Sequence, residues 1–221
     1  MFPIDDQEVR GAGRGLVNWA LIIINVLVFV FMITLDQEAQ RAFINQYGVI
    51  PAEILQGQDL YALLTSMFLH GGWLHLIGNM LYLWVFGDNI EAVIGHIGYL
   101  IFYLLGGLAA SAAHIALNAG SSVPSVGASG AVAAILGAYI VMFPESKVKA
   151  LVLSGAYMRV TRVSALLFIG FWIVLQFFYG FASLGVETAQ TGGVAYFAHI
   201  GGFLLGLIGG FVFRRSNARL A

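Results

Sequence analysis

The chain has no cysteine and few charges: 10 Lys and Arg and 11 Asp and Glu among 221 residues, or 10%. Without cysteine there can be no disulfide and no thiolate-held metal. Soluble domains carry roughly a quarter charged residues, so this chain lacks the groups to coat a globule in water. The formal charge of −1 removes the basic surface on which nucleic-acid binding depends. Apolar residues make up 60% of the chain, glycine contributes 28 residues, and mean hydropathy is +0.89. The composition is that of one compact integral membrane domain.

The gaps between charges give the organisation. A span needs about 20 mostly apolar residues. Uncharged runs of 21, 28, 24 and 26 residues follow Arg14, Asp59, Arg162 and Glu187. The run of 53 between Glu91 and Glu145 holds two crossings, divided by the polar turn cluster 118–125. These runs predict an all-α bundle of six transmembrane helices near 16–35, 68–87, 97–117, 126–143, 163–182 and 193–213. Segment 1–15 and tail 214–221 flank a membrane domain at 16–213, whose outer stretch, 36–67, is apolar enough to lie partly in the interface.

With both termini inside, the inner segments hold Arg10, Arg14, Lys147, Lys149, Arg159, Arg162, Arg214, Arg215 and Arg219, and the outer ones only Arg41. This bias predicts cytoplasmic termini in a multi-pass protein, of the inner membrane if the cell is bacterial. The first helix does not read as a cleaved signal, since Asp5, Asp6 and Glu8 precede it and no small-x-small site follows.

Polar side chains within spans need a reason. Asn25 and Gln176 read as bonds to neighbouring helices, and His114 as an interfacial residue. Ser129, in Val126-Gly-Ala-Ser129-Gly-Ala, stands where an outer loop enters a helix. Alone it reads as a helix cap sooner than as a nucleophile, and His199 alone as a bonded bundle histidine. Depth joins them. Ser129 precedes Glu145 by 16 residues and His199 precedes Arg214 by 15, about 24 and 22 Å of helix. Gly130, Ala133, Ala134, Gly137 and Ala138 on one helix, and Gly202, Gly206 and Gly210 on the other, allow close packing. His75 and Asn79, four apart on one face of the second helix, fall near the same depth. They suit either an interhelical pair or two neutral donors to an oxyanion.

Three segments carry a family resemblance: Leu69-His-Gly-Gly-Trp-Leu-His75-Leu-Ile-Gly-Asn79, Gly127-Ala-Ser129-Gly130, and Ala198-His199-Ile-Gly-Gly202 with Gly206. Together they resemble the rhomboid family of intramembrane serine proteases, over about residues 60–210. The resemblance implies Ser129 as nucleophile and His199 as general base. It implies an oxyanion held by the Ser129 backbone N–H, His75 and Asn79. Glu91 and His70 fall on the family's structural carboxylate and structural histidine. Tyr61-Ala62 stands where many members carry Trp-Arg. Ala133 stands where members often carry an aromatic that stacks on the catalytic histidine, so the orientation of His199 must come from elsewhere. The resemblance also points to the fifth helix, with Phe168, Phe171, Trp172, Phe177 and Phe178, as the substrate entrance.

No Asp or Glu lies inside any predicted span, so the residues read as a Ser–His dyad without metal or cofactor. Its partners are the lipid bilayer and transmembrane protein substrates whose helices locally unwind, not nucleic acid. Two rival readings are an inactive relative acting as a membrane-helix adaptor and a small transporter. The first is disfavoured by the presence of both Ser129 and His199. The second is disfavoured by the lack of inverted repeats.

Overall fold

The computed structural model describes residues 2–6, 15–154, 157–183 and 195–217. Arg10, Arg14 and Arg219, residues 193–194 of the expected last helix, most of the expected segment 1–15 and half of the expected tail 214–221 lie outside the described residues.

The protein is mostly helical. Helix α1 (Leu16–Thr34) has no side-chain cap of its own. Its first amides are instead taken up by the buried Glu91 carboxylate, which accepts from Val17 N–H at 2.9 Å and Asn18 N–H at 2.7 Å. An anion at a helix N-terminus also meets the positive end of the helix dipole. The outer stretch is largely structured: α2 (Gln37–Tyr47) is capped by Asp36. Two short helices, α3 (Pro51–Ile54) and α4 (Ala62–Thr65), and a 3-10 turn at Ser66–Phe68 follow.

Helix α5 (Trp73–Leu117) is a 45-residue element interrupted at Gly95, where φ is +75°. That left-handed backbone suits glycine and bends the chain without a loop, so the second and third expected helices become two arms of one element. The first arm begins at Trp73 rather than near 68, because the 3-10 turn and Gly71-Gly72 precede it. Helix α6 (Ser129–Met142) is buried almost all round, the pattern of a core helix. Helices α7 (Ala165–Ala182) and α8 (Tyr196–Asn217) complete the bundle. Among the described residues, α1, α5, α7 and α8 are long and apolar enough to cross a bilayer, and the 14-residue α6 is shorter.

The all-α expectation misses one feature. Strands β1 (Phe2–Asp5), β2 (Lys147–Ser154) and β3 (Tyr157–Ser164) form an antiparallel sheet in the order β1-β2-β3. Val148 pairs with Val163 and Ala150 with Thr161. Val148 and Ala150 are buried, while the paired Lys149 and Arg162 share the other face, so the period of two separates the faces. Next to β1, Asp6 accepts from Asn89 Nδ2 at 2.7 Å and from the Tyr139 hydroxyl. Burial pushes the Asp6 carboxyl up to about 6.

The arrangement of α6 and α8 positions the site. A Cβ on Gly202 would lie 2.1 Å from the Gly130 carbonyl oxygen, and one on Gly206 would lie 2.1 Å from that of Ala134. One on Gly137 would lie 2.3 Å from the Phe203 oxygen. Backbone touches backbone along this seam, which any side chain would pry open. Gly206→Ala should therefore destabilise the fold by about 1–3 kcal/mol, the usual cost of overpacking. Gly170→Ala on α7, where a Cβ meets nothing within 4 Å, should leave stability unchanged or slightly raised. Unfolding of both variants in mixed micelles checks the contrast.

Candidate active site

Ser129 is the first residue of α6, so its N–H belongs to the first turn, which the helix cannot satisfy. The loop before it is pinned from three sides. Val49 and Ser125 exchange backbone bonds of 2.9 and 2.8 Å, Gly127 N–H donates to Ser66 O at 2.8 Å, and Ala52 N–H donates to Ser121 O at 3.1 Å. Gly127 has φ +130°, which L side chains rarely adopt.

Across the seam, His199 Nε2 lies 2.8 Å from Ser129 Oγ. The other ring nitrogen, Nδ1, lies 2.8 Å from Gln176 Oε1 on α7. The ring of Trp172, one helical turn before Gln176, sits 5.7 Å from the imidazole with 34° between the planes. His199 is thus held between α6 and α7, and Ala133, fully buried in α6, needs no aromatic to hold it.

His75 and Asn79 border the same cavity, of about 880 Å³, with Ser129 and His199. A Cβ on Gly127 would lie 2.6 Å from His75 Nε2 and 3.6 Å from Ser129 Oγ, so those two atoms are at most about 6 Å apart. Gly71 N–H approaches His75 Nδ1 at 3.5 Å, which leaves the ring proton on Nε2, facing Gly127. Asn79 Nδ2 lies 3.0 Å from Nε2 of the buried His70. An amide nitrogen has two N–H groups, so one remains for the cavity. Among the described residues no Asp or Glu lines this cavity, and no group of three His, Asp or Glu could hold a metal.

The other polar residues singled out in the sequence fall partly at the cavity and partly away from it. Asn25 Nδ2 donates back to Leu21 O in its own helix at 2.8 Å, and its side chain also meets the Tyr103 hydroxyl of α5, a neighbouring helix as expected. His114, expected as an interfacial residue, is buried, pairs with Asn118 and borders the cavity. Glu91 is the α1 cap, touched also by His96. Gln176 does bond to a neighbouring helix, and that neighbour is His199 itself. Sequence reasoning missed this partner, and it placed Trp172 only at the entrance. The signal for both was their four-residue spacing, which puts them on one face of α7.

Residues 57–216 match the Rhomboid domain family. The chain is 33% identical over 160 residues to "RHOMBOID-like protein 6, mitochondrial" of Arabidopsis thaliana, covering 72% of this chain and 46% of that protein. It is 34% identical over 165 residues to "RHOMBOID-like protein 4" of the same plant, covering 75% and 37%. It is 27% identical over 199 residues to "Rhomboid protease GluP" of Bacillus subtilis, covering 90% and 34%. The chain spans between about a third and a half of the length of these relatives.

Gly127→Ala should narrow the cavity at the serine, because the added methyl meets His75 Nε2 on a backbone that disfavours a side chain. A fluorophosphonate should label this variant at least about tenfold more slowly than the unaltered protein. Circular dichroism in detergent should remain that of a folded helical bundle.

Proposed function

The chain belongs to the rhomboid family, and we propose that it is an intramembrane serine endopeptidase working through Ser129 and His199. The observation that carries this reading is the 2.8 Å contact between Ser129 Oγ and His199 Nε2 at the cavity. The printed name of the Bacillus relative, a rhomboid protease, supports it.

In this mechanism Nε2 takes the hydroxyl proton as Oγ attacks a peptide carbonyl carbon. The new C–O bond displaces the carbonyl π pair onto oxygen. That oxyanion accepts from the Ser129 backbone N–H, His75 Nε2–H and the Asn79 amide, all neutral donors. Collapse breaks the C–N bond, and the amine leaves with the proton from Nε2. Water, deprotonated by the same nitrogen, attacks the acyl-enzyme. The ester bond breaks, and the carboxylic acid product and the Ser129 hydroxyl are released. The scissile carbonyl must leave its own helix to be reached, so the substrates are transmembrane segments with Gly, Pro or small polar residues near one end.

Six crossings follow if the two arms of α5 and the short α6 each count as one, beside α1, α7 and α8. The nine-to-one basic bias then puts both termini and the sheet in the cytoplasm, with the cavity toward the opposite face. Reporter fusions at Ala221 and near Gln56 should report opposite sides. The same side for both would end the six-crossing topology.

Purified protein in lipid with a transmembrane substrate tests the chemistry. Ser129→Ala and His199→Ala should each abolish cleavage and fluorophosphonate labelling, and the double variant should cost little more, because the two groups act as one unit. His75→Ala and Asn79→Ala should each lower turnover by about 10²–10³ without abolishing it. Near-normal cleavage by Ser129→Ala would sink the peptidase reading and favour a membrane-helix adaptor.

A further inference from the structure

A dyad without a carboxylate leaves one question open in its chemistry: what keeps the imidazole in the tautomer that can accept a proton at Nε2. In a triad an acidic residue does this by accepting from Nδ1–H. Among the described residues no Asp or Glu borders this cavity, and Ala133 is too small to hold the ring.

From the geometry around Nδ1 we infer that Gln176 is the positioning residue of the dyad, a neutral acceptor that fixes the tautomer and rotation of His199. Gln176 Oε1 lies 2.8 Å from His199 Nδ1. An amide oxygen can only accept, so Nδ1 carries the proton and Nε2 presents its lone pair to Ser129 Oγ, 2.8 Å away. The amide cannot simply be turned over. Its nitrogen faces the Trp172 carbonyl oxygen at 3.4 Å, where a second oxygen would meet a lone pair. Gln176 is buried, which keeps water from competing for Nδ1. Trp172, on the same face of α7, lies against the imidazole at 5.7 Å between ring centres and limits its rotation. The inference rests on the peptidase reading and adds a third residue to it.

The chemistry balances without moving a charge onto α7. When Ser129 Oγ gives its proton to Nε2, the imidazolium keeps its Nδ1–H bonded to a carbonyl dipole. Gln176 neither gains nor loses a proton at any step. The titratable side chains acting on His199 from the packed elements are His75 and His114 of α5, and neither replaces the acceptor at Nδ1.

The test compares Gln176→Met, which keeps the volume and removes the acceptor, with Gln176→Glu, which keeps the acceptor and adds a titratable charge. Both are assayed beside Ser129→Ala in lipid with a transmembrane substrate. Gln176→Met should lower kcat by about 10²-fold, the scale for a misplaced reacting group, with KM and thermal midpoint nearly unchanged. Gln176→Glu should recover much of that loss and move the acidic limb of the kcat profile to higher pH, because a carboxylate favours the protonated imidazole. A merely structural glutamine would show neither the kcat-only loss nor the displaced limb. If Gln176→Met retains the unaltered kcat, or Gln176→Glu leaves the acidic limb where it was, the positioning role is overturned. If Ser129→Ala cleaves normally, the peptidase reading itself has failed. An inactive Ser129→Ala beside a fully active Gln176→Met would remove only the positioning role.

Discussion

The contact on which the site depends is backbone against backbone along α6 and α8. Lipid supplies no hydrophobic force to press two helices together, so close approach has to come from the absence of side chains. Gly137, Gly202 and Gly206 supply it, each leaving no space for a Cβ, while Gly130 admits Ala110 of α5 in the same way. The separation this produces is short enough for a serine on one helix to reach an imidazole on the other. The seam continues past Gly206 to Gly210 beside Ala138 and Val141, so the two helices are joined well below the site.

The two ends of the bundle treat polarity differently. At the sheet end, charge is accepted and satisfied. Glu91 takes two α1 amides, and Asn18 joins the Leu83 carbonyl to the Tyr99 hydroxyl. Asp6 gathers Asn89 and Tyr139. Gly87 stays small because a Cβ there would lie 2.3 Å from Asn18 Oδ1. Among the described residues lining the cavity, the polar side chains are hydroxyl, imidazole, indole and amide groups. Neutral groups cost far less to desolvate than ions, so the cavity can hold many of them within the bundle while keeping donors and acceptors free for a ligand.

The pairing of Ser129 with His199 was legible because it depends on quantities a sequence carries: residues counted from a charged end, and small residues at four-residue spacing. Most helix positions were legible for the same reason, although α5 runs on through Asp88 and Glu91 to its break at Gly95. Other features depend on rotation or on distant partners. That Trp172 and Gln176 share a face could be read from their spacing. That this face turns toward His199 depends on how α7 is rolled against α8, which no composition encodes. The strands at Lys147–Ser154 and Tyr157–Ser164 hid between charged residues in a segment that reads as a loop, although Val148 and Ala150 alternate with Lys147 and Lys149. The departure of Ala133 was visible, but its replacement lay on another helix.

The order of the elements along the chain has a consequence in time. Asp5 waits for Lys149, 144 residues later, and the α1 amides wait for Glu91, more than 70 residues later. Both partners exist before α7 begins, so the sheet end can close while the last two helices are still unmade. Ser129 is then without its imidazole neighbour, because His199 follows it by 70 residues. At about 5–20 residues per second of synthesis, the hydroxyl waits several seconds for that neighbour. On the proposed reading a nascent chain stays inert toward its neighbours until α8 slots against α6, because only that packing brings Ser129 and His199 together.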